Sequence, residues 1–169
     1  MDVCRKEAAL IEIQVERIQS ATDEVRALIR KLDDELGENY PPEQQHGLKI
    51  DAIFEPHVRF FLARKDGVAL GCGGVAFFPG FAEVKRMYVA KEARGQGIAD
   101  AIVAKLEDEA ANANLSILRL ETGTLQIAAL RFYERLGFHP CEAFEPYSSM
   151  PPNTIATSVF LEKRLPEVL

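Results

Sequence analysis

"EARGQGIAD", residues 92–100, decides how this chain folds and where its chemistry sits. A run ending in Met87-Tyr88-Val89 leads into it, and Ile98, Ile102, Val103 and Leu106 follow it at helical spacing. A glycine-rich turn from strand to helix exposes several backbone N–H groups that the helix cannot satisfy, and the helix dipole adds positive potential there. Gly95 and Gly97 accept positive φ and let a ligand approach the backbone, while Arg94 adds a charged contact or braces the loop. The glycines alone fit a phosphate cradle and a plain left-handed turn equally well. Two known phosphate patterns fail on these residues. A dinucleotide fingerprint needs a third glycine where Asp100 stands, and a P-loop needs Gly-Lys-Ser/Thr at the helix start, which does not follow Gly97.

Working outward, Ala9 to Arg17 alternates apolar and charged residues and reads as a half-buried strand. Thr22 is placed to cap a helix from Asp23 to about Leu36, with Gly37 as its stop, and Glu38 to Leu48 reads as a loop. Pro56 to Ala63 and Val68 to Phe77 flank Lys65-Asp66-Gly67, a hairpin signal because Asp-Gly tolerates positive φ. After the Pro79-Gly80 turn, Phe81 to Ala90 forms the strand that feeds the glycine loop. Beyond the helix that ends at Asn112 to Asn114 come a strand (Ser116 to Glu121), a short helix (Ala128 to Leu136, closed by Gly137) and two strands, Phe138 to Cys141 and Thr154 to Glu162. This order predicts an α/β or α+β fold with helices on both faces of a sheet.

The chain of 169 residues suits one domain spanning 1–169, with disorder expected only over residues 1–8. Its composition, 47% apolar and 27% charged, is that of a water-soluble globule, and with no h-region and no long apolar run it reads as cytoplasmic with no membrane partner. A net charge of −6 argues against a nucleic-acid partner. Cys4, Cys72 and Cys141 are too scattered for zinc or a disulfide framework, so no metal is expected.

Arg94-Gly95-Gln96-Gly97-Ile98-Ala99 resembles the Q/R-x-x-G-x-G/A signature of the GNAT family of N-acetyltransferases, with complete spacing. The flanking segments "AEVKRMYVAKEA" (82–93) and "AALRFYERLGF" (128–138) resemble the family too, in order and at the usual separations. The resemblance runs from about Arg59 to Leu165. It implies the acyl-CoA N-acyltransferase fold, a mixed, largely antiparallel sheet that splays open after the fourth strand and takes the pantetheine arm of acetyl-CoA in the gap. By position, the backbone of Met87, Tyr88 and Val89 would meet the thioester and pantetheine, and the amides of Arg94, Gly95, Gln96, Gly97, Ile98 and Ala99 would cradle the pyrophosphate. Gln126 stands where many members have Asn against the pantetheine, and its longer arm can make similar hydrogen bonds.

The resemblance also implies Tyr133 as the general acid near the sulfur, a role that a phenol can fill while neutral at pH 7. Without the family, Tyr133 would be a half-buried aromatic packed on the sheet. Phe132 beside it reads as core. For the base, Glu83 is the first candidate: it alternates with Lys85 and Met87, so the three are expected on one face. A solvated carboxylate opposite Lys85 is the plainer alternative, and Glu121 is the second candidate.

The acceptor pocket implied by the family falls on "GENYPPEQQHGL" (37–48) and "EAFEPYSSMPPN" (142–153). There Tyr40, Phe144 and Tyr147 would be aromatic walls and Glu142 or Glu145 would attract a cation. His46, His57 and His139 form no catalytic pattern, Cys72 reads as a small buried residue, and Cys141 as a structural one. The expected activity is acetyl transfer from acetyl-CoA to a primary amine, on a small molecule or a protein, by direct attack in a ternary complex. The acidic balance weakly favours a cationic acceptor. A homodimer fits the family. Alternatives are a non-catalytic acyl-CoA-binding module, a hydroxyl acceptor, or a longer acyl donor.

Overall fold

The computed structural model of the chain describes residues 12–167. Seven strands form one sheet in the order β1-β2-β3-β4-β5-β7-β6, from β1 (Ile13–Ile18), β2 (Val58–Lys65), β3 (Val68–Phe78), β4 (Phe81–Val89), β5 (Ile117–Gly123), β6 (His139–Pro140) and β7 (Ser158–Arg164). All neighbours are antiparallel except β4 and β5. Helix α1 (Asp23–Asn39) covers one face, and α2 (Ile98–Asn112) and α3 (Ile127–Arg135) pack on the other.

Strand alternation sorts the core into these two layers. In β2, Phe60 and Leu62 join Val25, Leu28 and Ile29 of α1, whereas Phe61 and Ala63 join Ile98, Ile102, Val103 and Leu106 of α2. The apolar stripe expected of α2 is thus the buried one. Asp66 (φ 52°) and Gly67 (φ 76°) make the β2–β3 hairpin turn, with positive φ at both central residues as an Asp-Gly pair allows. Thr22 caps α1 by accepting from the Val25 amide at 3.3 Å.

Several boundaries differ from the sequence expectation. Helix α1 does not stop at Gly37 but runs through it to Asn39, because Tyr40 ends the helix by donating its backbone N–H to Leu36 O. The first strand begins at Ile13, and residues 9–11 of its expected range lie outside the described residues. The last strand starts at Ser158 rather than Thr154, since Pro152–Thr154 is a 3-10 turn. Strand β6 shrinks to two residues because Phe138 turns into the α2–α3 core.

One irregularity matters for the site. Cys72 lies opposite Tyr88 and Gly74 opposite Lys85, so Gly73 faces two residues, Arg86 and Met87, across a β-bulge. Arg86 has φ 52°. The extra residue reverses the side-chain alternation of β4 from that point on.

Candidate active site

Strands β4 and β5 pair only at Ala82/Leu118 and Glu83/Arg119 and then part. The gap is a cleft of about 510 Å³ that reaches both faces of the sheet. The Ala90 amide donates to Leu70 O of β3 at 2.8 Å, so alternation turns the Val89 backbone, and Met87 in phase with it, towards the gap. Met87, Tyr88 and Val89 all line the cleft.

At its upper end lies the glycine loop. Gly95 (φ 80°) and Gly97 (φ 83°) take the left-handed conformation that glycine permits. Space above them is open: a Cβ would meet nothing within 4 Å at Gly95, and only Ile13 Cδ1 at 3.9 Å at Gly97. The first backbone bond of α2 runs from Ala101 N to Gly97 O at 3.1 Å, and among the described residues the amides from Gly95 to Asp100 have no acceptor. A run of unpartnered amides at a helix N-terminus, with room before it, suits an anion such as a pyrophosphate. Arg94 is a brace. Its Nε donates to Val89 O at 3.0 Å and its Nη2 to both Glu35 oxygens at 3.0 and 3.1 Å, with the guanidinium over the Tyr88 ring. Gln96 turns outward, accepting from Lys65 Nζ at 2.9 Å, and its side chain does not line the cleft.

Tyr133 projects from α3 into the α2–α3 side of the cleft, edge-on to Phe132 and Phe138. Burial pushes its phenol well above the ordinary range, and its hydroxyl has no protein partner among the described residues. Gln126, at the start of α3, lines the same wall and makes no capping bond.

Glu83 lies on the opposite face. It is 1% exposed, not a solvated charge. Its Oε1 accepts from the Tyr147 hydroxyl at 2.5 Å and from Lys85 Nζ at 3.0 Å, and its Oε2 is buried without a partner. Glu83 and Lys85 share this face, but Met87 does not. The bulge at Arg86 puts Met87 with Ala82, Val84 and Val89 against α2, which corrects the single face expected from simple alternation. Glu121 of β5 also lines the cleft. Burial raises its carboxyl above the usual range, the negative charge of Glu83 adds to this, and Ser158, His46 and Lys85 act against it.

Known proteins resemble this chain over most of its length. The model of the acetyltransferase (GNAT) family matches residues 25–138. The IAA acetyltransferase of Azospirillum brasilense is 39% identical over 155 residues, covering 90% of this chain and 98% of that protein. The chain belongs to the GNAT acetyltransferase family. A Klebsiella pneumoniae structure assigned as an acyl-CoA N-acyltransferase superposes on this acetyltransferase with a TM-score of 0.71 at 33% identity, covering 90% of this chain and 97% of that one. A GNAT acetyltransferase from Elizabethkingia anophelis with acetyl-CoA bound shares the fold, with a TM-score of 0.63 at 18% identity over 90% of this chain and 98% of that one.

The two loops expected to form the acceptor pocket of the acetyltransferase do meet. Gln44 Nε2 donates to Asn153 O at 3.3 Å, Thr157 Oγ1 donates to Gln44 Oε1 at 3.2 Å, and His46 Nε2 lies 2.7 Å from Thr154 O. Tyr40 and Tyr147 line the cleft, but Phe144 packs beneath Tyr147 and Phe160 instead of forming a wall. Glu145 accepts from Ser148 and Ser149, both at 2.6 Å, and neither it nor Glu142 reaches the cleft. Sequence reasoning missed Lys85, Arg86 and His46 as lining residues. Arg86 is held by an ion pair to Asp33 of α1 under Gly47, where a Cβ would overlap the guanidinium. No periodic signal marks it, since its position depends on the bulge.

Proposed function

We propose that this GNAT protein transfers the acetyl group of acetyl-CoA to a primary amine by direct attack within a ternary complex. The row of unpartnered amides from Gly95 to Asp100 at the head of a cleft that penetrates the sheet carries the reading. Those amides would bind the pyrophosphate, with Arg94 shaping the loop. The exposed backbone of Met87 and Val89 would hold the pantetheine and polarise the thioester carbonyl, with Gln126 on the facing wall. Acetyl-CoA supplies the activated acyl carbon and a thiolate leaving group.

Tyr133 and Glu83 reach the cleft from opposite faces of the sheet, which suits an acid on the donor side and a base on the acceptor side. The amine arrives as an ammonium, and Glu83 takes its proton directly or through a water. The free nitrogen attacks the thioester carbon, the C–S bond breaks as the Tyr133 hydroxyl gives its proton to the departing sulfur, and the second proton shed by the nitrogen as the amide forms passes through cleft water to restore Tyr133. The raised phenol keeps Tyr133 protonated at neutral pH. A thiolate formed in the same buried space is itself made more basic by desolvation, which offsets the added cost of ionising a buried phenol.

The test is free thiol release from acetyl-CoA across a panel of primary amines, with IAA included because the Azospirillum relative carries that name. Amine-dependent release, lowered about 100-fold in kcat by Tyr133→Phe, supports the reading. Tight CoA binding with no acceptor-dependent release would leave a binding module in its place, and release with IAA alone would move the acceptor away from amines.

A further inference from the structure

Beyond assigning Glu83 as base, we infer that Tyr147 and Lys85 are positioning residues that fix its carboxylate, holding Oε1 from two sides so that only Oε2 is left to accept the proton of the acceptor. The inference rests on the base role of Glu83 given above.

Three observations carry it. The two donors converge on one oxygen, Tyr147 Oη at 2.5 Å and Lys85 Nζ at 3.0 Å, and are themselves 2.8 Å apart. The other oxygen, on a side chain 1% exposed, has no partner. The holder comes from a distant part of the chain: Tyr147 belongs to the 3-10 turn Tyr147–Ser149 and is wedged among Phe144, Phe160 and His46, with ring centroids 5.3 to 5.6 Å away. A phenol gripped by aromatics on three sides has little freedom to move. Its O–H direction is therefore set by the packing, and the carboxylate orientation follows.

Both donors hold Oε1, so the carboxylate is fixed in one orientation and Oε2 is the oxygen left open. Other groups face the same space. Glu121 comes from β5. His46 comes from the loop after α1 and lies edge-on to Tyr147. Arg119, the register partner of Glu83, is turned away over Phe81 and Phe144 towards Glu162, and Arg86 is committed to Asp33.

The experiment needs no acceptor. The side-chain carboxyl carbon of Glu83, assigned by its loss in Glu83→Gln, is observed by carbon-13 NMR at neutral pH in the full chain, in the native protein and in Tyr147→Phe and Lys85→Met. Each variant should displace and broaden that resonance, because a carboxylate that loses one of its two donors is no longer held in a single orientation. Tyr147→Phe keeps the ring and hence the packing, and thermal unfolding verifies the fold of both. An unchanged resonance in either folded variant overturns the inference. Thiol release by Glu83→Gln is read separately: undiminished release would remove the base role of Glu83, whatever the resonances show.

Discussion

Gly97→Glu is the sharpest probe of the anion cradle. The residue has φ 83°, where a side chain costs about 1 to 2 kcal/mol, yet a Cβ there meets only Ile13 Cδ1 at 3.9 Å, so no steric collapse follows. A carboxylate at the N-terminus of α2 also gains about 0.3 to 1 kcal/mol from the helix dipole, which leaves a net loss near 1 kcal/mol and a folded protein. Binding is affected far more. The new charge would occupy the mouth of the same amides and stand roughly 4 Å from any phosphate held there. At an effective dielectric constant of about 20 this is a repulsion near 4 kcal/mol, or about three decades in Kd. Calorimetric titration with CoA, beside thermal unfolding, measures both effects. Gly97→Ala is the control, because it carries the same backbone strain without the charge and should weaken binding about tenfold or less. A folded Gly97→Glu protein that binds CoA within threefold of the native Kd would refute the cradle, as would equal losses in the two variants.

Glu121 gives the protein a pH signature. Its folded-state value is raised, so it contributes stability that is complete below its ordinary value and is lost as the pH climbs through the raised one. Urea unfolding between pH 4 and 8 should show that decline in the native protein and a flatter profile in Glu121→Gln, and identical slopes would contradict the assignment. Tyr40→Phe should cost about 1 to 2 kcal/mol in the same assay, because the Tyr40 hydroxyl accepts from the Leu125 amide at 2.8 Å and its loss strands a partly buried N–H. An unchanged unfolding midpoint would mean that water replaces the bond.

How far the sequence reveals this molecule depends on the range of the interaction involved. The Asp66-Gly67 turn, the Thr22 cap and the stripe from Ile98 to Leu106 are set by neighbours within a few residues, and each is legible. The glycine loop and the strand that leads into it are legible for the same reason, since they are contiguous. Gly37 misleads because a glycine ends a helix only when the backbone turns left-handed there, and here the helix continues to Tyr40. The face that carries Glu83 is the least legible part. The hold of Tyr147 on Glu83 spans 64 positions, and the faces of Lys85 and Met87 are assigned by one bulged residue, Arg86, that no period-two pattern announces. Glu145 illustrates the opposite error: a carboxylate in the right loop, taken up by its own neighbours Ser148 and Ser149.

The brief pairing of β4 with β5 has a mechanical consequence. With two rungs of register joining them, the four-stranded and three-stranded parts of the sheet act as two plates meeting at a short seam, and the core under α2 is the fabric that spans it. A chain lying along the open edges of both plates would stitch that seam further. A substrate bound there would also be a strut, stiffening the body that holds it, and the acetyltransferase would be at its most pliant between turnovers.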